Sequence, residues 1–474
     1  MIDRQEVMDF AREFGLMPQV VEKDYTLGWL LAGIAAHPEI GQSWVFKGGT
    51  CLKKCYFETY RFSEDLDFTL SNPEHLSEDF LLETFHRVAD WLVDQAGIEV
   101  PADTIRFEVY KNPRDHNSAQ GRVGYRGPMQ RRGDAPRIKL DLTDDEILVL
   151  DPVMREVHHP YSDRPDTGIH VLSYDFEEVF AEKIRALAER ERPRDLYDVV
   201  HLYRREGIDP DRTLILSTLA EKCQFKGIDV PTMEILANQP EKVDLEADWD
   251  HMLAHQLPVL PPFQQFWNEL SDVFDWLHQT KEKQVLAKVQ AYGGGVIDES
   301  WSPPPMAHAW NIGVPLEVVR FAAANRLCVD LEYRDAEGRQ TGRLIEPYSL
   351  RRTQDGNILL YAVRHEDGQP RSYRVDRIQD ATATNISFSP RYTIELTSSG
   401  PLHAPETERT STRRMGGFGR VRRGSGASPT YVVECSYCGR DFKRKTSGTT
   451  LKSHKDKNGY PCPGRHGYLV DTIY

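Results

Sequence analysis

Phe46-Lys-Gly-Gly-Thr-Cys-Leu-Lys-Lys54 is followed, seven residues on, by Arg61-Phe-Ser-Glu-Asp-Leu-Asp67. The double glycine is expected to open a helix, and the two carboxylates, two positions apart, to fall on a strand. Alternate strand residues share a face, so Asp65 and Asp67 point the same way and can hold one cation or a close pair. A helix starting at Gly48, Gly49 and Thr50 presents unpaired backbone N–H groups and a positive dipole end, a seat for phosphate. Either half alone is ordinary, since Gly-Gly often precedes helices and acidic pairs are usually solvated. Together, in this order and this close, they point to phosphoryl or nucleotidyl transfer.

The arrangement resembles the DNA polymerase β-type nucleotidyltransferase superfamily, in which a helix-opening glycine motif precedes an Asp-x-Asp strand. More narrowly it is similar to the AbiEii/AbiGii toxin-type nucleotidyltransferases, with their Gly-Gly-Thr-x-Leu-x-Lys and Arg-x-Ser-Glu-Asp-x-Asp patterns. Residues 48–54 and 61–67 fit, with Cys51 in a place usually held by a small residue. The resemblance implies a third carboxylate on a neighbouring strand, so that two magnesium ions can be held. Asp141, in Arg137-Ile-Lys-Leu-Asp-Leu142, is best placed. Ile138, Leu140 and Leu142 share one face there, Lys139 and Asp141 the other. An ordinary exposed strand residue is the alternative. Asp144, Asp145 and Glu146 rank lower because their run reads as a turn.

Further on, Val179, Phe180, Ile184, Leu187 and Ala188 recur at helical spacing, with Lys183 at the edge of the stripe. A long stem there can cross apolar surface and carry its ammonium to a cleft. The segment 176–202 matches the family's Glu-x-x-x-Ala-x-Lys and Arg-Asp-x-Tyr-Asp patterns. By resemblance Lys183 contacts nucleotide phosphates and Asp195 completes the site, with Asp198 possible. Without it, Lys183 would be a solvated helix edge and Asp195 a helix cap. Lys47 and Ser63 are expected to assist in nucleotide binding. The likeness extends over about residues 15–290 and includes Val21-Glu-Lys-Asp-Tyr25.

A chain of 474 residues should form about three domains. Its net charge of −14 is unevenly spread. After residue 402 there are 14 basic and 6 acidic residues, a net of +8, against 45 and 67 before it, a net of −22. The acidic bulk argues against nucleic-acid binding over the whole surface, while the basic tail can supply it locally. No apolar run is long enough for a bilayer and no leader peptide is evident, so the expected compartment is cytoplasmic, with no membrane partner. Cys51, Cys55, Cys223 and Cys328 are scattered and read as reduced.

The expected organisation is α+β. A nucleotidyltransferase core over 1–170 precedes a helical half over 171–290 that completes the site. A linker over 291–311 contains Gly293-Gly-Gly295 and Pro303-Pro-Pro305. Residues 312–398 read as a helix (314–325) and several short strands, a small barrel or strongly bent sheet. Glu346-Pro-Tyr-Ser-Leu350 and Tyr373-Arg-Val-Asp-Arg-Ile378 make this region resemble a WYL, SH3-like domain. Ile358-Leu-Leu360 stands where that family has Trp-Tyr-Leu. Arg371, Arg374 and Arg377 are either an anion site or ordinary surface charge. Residues 399–430 read as a flexible basic tether.

Over 431–474, Cys435-x2-Cys438 with His454 and Cys462 makes a Cys3His set for structural zinc. His466 is an alternative ligand, and a redox Cys-x-x-Cys is the rival reading. Lys443, Arg444, Lys445, Lys452 and Lys455, with Phe442 and Tyr460 interleaved, suit nucleic-acid phosphates or serve solubility alone. The family resemblance implies a toxin of a toxin–antitoxin or abortive-infection system. It would use a nucleoside triphosphate, with tRNA or another RNA as acceptor, and a cognate antitoxin is a candidate partner. The rival is a ligand- or nucleic-acid-binding sensor whose core binds nucleotide without transfer.

Overall fold

In the computed structural model the described residues are 1–14, 16–57, 61–112, 114–130, 133–205, 209–239, 242–290, 295–301, 316–396, 430–435, 440–444, 451–452, 454–455, 461–462 and 467–473. Most of the expected linker and all but the last residue of the tether lie outside them. The chain forms two compact units, Met1–Glu406 and Thr407–Tyr474.

The first unit begins with α1 (Arg4–Phe14) and α2 (Pro18–Ala36). Proline suits a helix start because the N–H it lacks has no helical partner there. In α2, residues 21–34 are buried apart from Lys23, so its polar residues need partners. Glu22 accepts from Met129 N–H (2.8 Å) and Asp24 from Lys54 (2.7 Å) and Tyr161 (2.9 Å). Lys23 meets Glu64 (2.7 Å), and Tyr25 donates to Asp163 (2.7 Å). The Val21–Tyr25 motif thus bolts α2 to the transferase core. Lys54, the motif lysine after the glycines, is spent on that joint.

The sheet is built from β1 (Trp44–Lys47), β2 (Asp65–Leu70), β3 (Arg106–Lys111), β4 (Asn117–Gly124), β5 (Arg137–Thr143), β6 (Val153–Glu156) and β7 (His170–Ser173). Their order is β3-β4-β5-β2-β1-β7-β6. Between β1 and β2 runs α3 (Gly48–Cys51), continued as a π turn over Leu52–Tyr56. Then α4 (Glu78–Ala96) packs against α2 and β3, ending on Gly97 at φ +67°, a backbone shape that suits glycine. A helical layer follows: α5 (Phe176–Arg190), α6 (Pro193–Arg204), α7 (Arg212–Lys226), α8 (Met233–Asn238), α9 (Lys242–Ala247), α10 (Trp249–Leu253) and α11 (Phe263–Leu277). Side chains of Asp175 and Asp211 cap α5 and α7. Phe266, Leu270, Val273, Phe274 and Leu277 of α11 are buried at helical spacing, as core.

The strand-rich region holds α12 (Leu316–Ala324) and β8 (Leu327–Arg334), β9 (Gln340–Arg352), β10 (Ile358–Arg364), β11 (Pro370–Arg374) and β12 (Ile378–Ser387). The sheet order is β11-β10-β9-β8-β12, with bulges at 361/362 and 378/380 that bend it. On β10, Ile358, Leu360 and Ala362 join the main core, while Leu359, Tyr361 and Val363 join a second one with Cys328, Tyr348 and Phe388. Burial on both faces explains why this strand is apolar without alternation.

The second unit contains β13 (Thr430–Cys435), β14 (Asp441–Arg444), β15 (His454–Lys455), β16 (Pro461–Cys462) and β17 (Gly467–Ile473). β14-β13-β17 form one small sheet and β15-β16 another.

Candidate active site

β1 delivers the chain to Lys47, and Gly48 then turns it at φ +79°, a conformation that side chains resist. A Cβ on Gly48 would lie 2.0 Å from Asp67 Oδ2, and one on Gly49 would lie 2.3 Å from an Arg61 guanidinium nitrogen. Both glycines are therefore required by contact, and Gly48 by backbone shape as well. Thr50 Oγ1 donates to the Asp65 carbonyl (2.5 Å), pinning the turn to β2. Replacing Gly48 with alanine is expected to lower kcat/KM for the nucleotide at least tenfold, measured by transfer of labelled nucleotide. A near-native rate would mean the close approach is not needed.

β2 and β5 are parallel neighbours, with Asp67 opposite Asp141 and Asp65 opposite Lys139. β4 continues both rows, Gln120 opposite Asp141 and Arg122 opposite Lys139. Directly opposed residues share a face. One row thus reads Asp67-Asp141-Gln120 and the next Asp65-Lys139-Arg122. Burial first, and Asp141 next, push the Asp67 carboxyl up to about 6. Burial and Asp65 raise Asp141. Carboxyls that hinder one another's ionisation in this way are short of positive charge, and Lys47 offsets both only in part. Their hard oxygen donors fit magnesium or manganese better than a soft metal.

Lys183 and Asp195 come together, but as a buried cluster. Lys183 meets Asp195 (3.2 Å) and Asp198 (2.7 Å), and Arg190 holds Asp195 from the other side (2.9 Å). Asp198, fully buried, also accepts two bonds from Arg61 (2.7 and 2.8 Å), whose remaining N–H group reaches Gln256 (3.0 Å). Burial opposes the charge of Lys183, and Asp198 and Asp195 more than restore it, so its pKa is raised. Its ammonium still acts on Asp67, lowering that pKa. Arg61 is a site residue the motif contained without indicating its partner. It packs on Gly49 and clamps α6 through Asp198, linking glycine turn and helical layer. Lys47 lies 3.7 Å from Glu146. Ser63 is half-buried before β2.

Beside Asp65 opens a cavity of about 420 Å³ lined in part by Lys23, Arg122, Arg137, Lys139 and Arg194. The alternation of β5 placed Arg137 and Lys139 on the face of Asp141, a legible signal. The contribution of Arg122 and Arg194 depends on strand pairing and on α6.

The profile of the nucleotidyl transferase AbiEii toxin family, type IV toxin–antitoxin system, matches residues 29–277, more than half of the chain. The chain belongs to that family. As an AbiEii protein it is a toxin-type nucleotidyltransferase, and a WYL domain profile matches residues 315–383. Among solved structures it is similar to MenT4, a nucleotidyltransferase toxin of Mycobacterium tuberculosis H37Rv. The identity is 20%, over 60% of this chain and 91% of that one, at a TM-score of 0.41. A second similarity is to the proteasome accessory factor PafBC of Arthrobacter aurescens. Here the identity is 11%, over 82% of this chain and 35% of that one, at a TM-score of 0.16. No curated protein matches the chain.

The AbiEii chain carries a second candidate centre in its C-terminal unit. The ligand atoms of Cys435, His454 and Cys462 all lie within 4.8 Å of one another. The two sulfurs are 3.8 Å apart, about the edge of a tetrahedron built on zinc–sulfur bonds of ~2.3 Å. His454 Nδ1 meets the Lys452 carbonyl (2.9 Å). Among the described residues this is the one set of three drawn so close, so the aspartate set is more open. Cys438 and Lys445 lie outside the described residues, as does His466. Lys443 and Lys452 are exposed, and Arg444 and Lys455 lie on β14 and β15. Among the described residues no helix is long and apolar enough to cross a membrane. Cys51, Cys55, Cys223 and Cys328 are free thiols.

Proposed function

We propose that this AbiEii protein transfers a nucleoside monophosphate from a nucleoside triphosphate to an RNA acceptor, tRNA being favoured. The observation that carries this reading is the row of Asp67 and Asp141, both raised by burial and then by a neighbouring carboxylate, with Asp65 beside them and a glycine turn with no room for a side chain against them. Asp65, Asp67 and Asp141 would hold two magnesium ions, which supply a more acidic acceptor hydroxyl and neutralise charge on the triphosphate. Gly48, Gly49 and Thr50 seat the phosphates, and Lys47 and Lys183 add positive charge. Asp195 and Asp198 position Lys183, keeping its ammonium charged and fixed. The acceptor hydroxyl attacks the α-phosphorus in line, its proton is lost, and pyrophosphate leaves with the bond to the α-phosphorus broken. Holding the reactants in line and neutralising charge are what these residues contribute.

The basic cavity beside Asp65 favours a polyanionic acceptor, whose phosphates Arg122, Arg137, Lys139 and Arg194 would meet. The zinc module, with Cys438 as fourth ligand, and its basic residues would add a second hold on RNA. A cognate antitoxin, and control by the WYL and zinc regions, belong to this reading. The expected domain limits stand with it: 1–170, 171–290, 312–398 and 431–474.

The test incubates the protein and magnesium with each α-labelled nucleoside triphosphate and total cellular RNA, beside Asp65→Ala. Label on tRNA-sized RNA with the wild type alone supports the proposal. Label on protein moves the acceptor to a side-chain hydroxyl, and no label favours the sensor. Arg122→Gln with Lys139→Gln is expected to raise KM for RNA about tenfold and leave KM for the nucleotide within about twofold, two phosphate contacts being lost. Equal changes in both would place these residues at the triphosphate instead.

A further inference from the structure

Lys47 ends β1 directly opposite Asp67 of β2, so their side chains share a face. Its ammonium pulls against the burial that raises the pKa of Asp67 and Asp141. Yet among the described residues it forms an ion pair with neither. The carboxylate within ion-pair distance of it is that of Glu146, 3.7 Å away. The two side chains are 13% and 12% exposed, so salt and water screen the pair little. A flexible cation on the face of two carboxyls short of positive charge has reason to fall onto them. Here it leans away, towards Glu146.

Glu146 is held in place by contacts of its own. It follows β5 in the run Asp144-Asp145-Glu146. Asn112 and Arg114 donate to the Asp145 carboxylate (2.6 and 2.9 Å), and the Asp145 N–H donates to Thr143 Oγ1 (3.0 Å). From α7, Lys226 donates to the Asp145 carbonyl (2.8 Å) and Lys222 to the Ile147 carbonyl (3.0 Å). Lys226 also meets Glu146 at 3.2 Å, on the same oxygen that faces Lys47. None of these anchors uses Lys47, so the carboxylate stands ready for it. At 3.7 Å the contact with Lys47 is one of charge, longer than a hydrogen bond. It restrains the ammonium without consuming its N–H groups.

We propose, resting on the transferase reading of the aspartates and Lys47, that Glu146 is a positioning residue of that site. It holds the Lys47 ammonium off Asp67 and Asp141, which keeps their oxygens open to cations and the lysine charge available to the triphosphate. With no charge at position 146, the ammonium loses its competing partner and settles on one of the aspartates. Nucleotide binding in magnesium then weakens twice over, through the cations and through a lysine already neutralised. The contact also brings α7 into the site, since Lys226 in its last turn holds Glu146.

The test is titration calorimetry of the full-length protein in magnesium with the four α,β-methylene ribonucleoside triphosphates, in which the bond to be broken is blocked. The tightest of them is carried through a double-mutant cycle. Glu146→Gln should weaken binding at least about fivefold, and Lys47→Met at least about tenfold. Lys47→Met/Glu146→Gln should bind within about twofold of Lys47→Met, because Glu146 acts only through that lysine. Glu146→Asp, one methylene short of Lys47, takes the place of Glu146→Gln if the latter does not melt as the wild type does. Wild-type affinity in Glu146→Gln or in Lys47→Met overturns the proposal. So does full additivity in the double variant, which would make Glu146 a ligand or a structural prop in its own right, and so does a wild type that binds no analogue. Transfer from the natural nucleotides is assayed apart. A wild type that binds the analogue and labels no acceptor sinks the transferase reading, while the cycle still decides the role of Glu146 in holding the nucleotide.

Discussion

Replacing Asp67 with asparagine is expected to abolish nucleotide transfer, by at least about 10³-fold, and yet to stabilise the metal-free protein. Burial and the neighbouring Asp141 push the Asp67 carboxyl up to about 6, above its ordinary value of 3.8. A carboxyl raised in the folded state costs stability wherever it must ionise. That cost is complete above about pH 6 and vanishes below about pH 4, where both states carry the proton. Asparagine keeps the shape without the charge. At pH 8 the metal-free variant should gain on the order of 1–2 kcal/mol, and the gain should fade between pH 6 and pH 4. Magnesium should raise the melting temperature of the wild type and leave that of the variant nearly unchanged. Transfer by the wild type should fall as pH drops through about 6, where a proton competes for the same oxygens. Thermal melts with and without magnesium, across pH, check all of this. A variant less stable than wild type at pH 8 would mean Asp67 is held by partners, as structural carboxylates are.

Asp198→Ala should act in the opposite sense and destabilise the fold severely. Burial opposes ionisation of Asp198, but Arg61 and Lys183 overcome it and hold its carboxyl well below the usual carboxylate range. Removing it takes from the buried Arg61 and Lys183 the carboxylate they share, and leaves Lys183 with Asp195, which Arg190 also holds. Breaking such a cluster from one side costs about 3–5 kcal/mol. Arg61→Ala should cost less, because Asp198 keeps Lys183. Denaturant unfolding ranks the two, and a loss under 1 kcal/mol for Asp198→Ala would remove the cluster from its clamping role. Transfer should fall in both variants even where folding survives, since the glycine turn and Lys183 both hang on this pair.

The two variants also divide what was readable in the chain from what was not. The face shared by Asp65 and Asp67, and the odd-numbered face of β5 with Arg137, Lys139 and Asp141, follow from the two-residue period of a strand. The family profile independently matches most of the span in which the motifs were recognised. By contrast, Arg61 and Asp198 lie 137 residues apart, and no local pattern pairs them. Asp195, at the start of α6, could equally have been only a cap. The same holds for Asp24 with Lys54, a joint visible only once α2 packs on the core. The hairpin of β3 and β4 escaped notice because β4 carries Gly121 and Gly124 where a strand ordinarily shows bulk. Gly121 is small because the Phe107 ring stands 2.4 Å from where its Cβ would be. The run Ile358–Val363 reads as a strand in the sequence, but nothing local says that both its faces are covered.

Asp67 and Asp141 meet by register in adjoining strands, with no loop between them to adjust the fit. That gives the chain two very different attitudes to changes in its length. Residues added in the exposed part of the β4–β5 connection, at Gly133 and Asp134, leave the pairing of β2 with β5 alone, and such insertions should pass unnoticed by the chemistry. One residue added inside Asp65–Leu70 or Arg137–Thr143 turns every following side chain to the opposite face, carrying a carboxylate from the cleft into the core. A library of single-codon insertions scored for growth arrest would therefore show short silent stretches of sequence edged by others that lose everything at once.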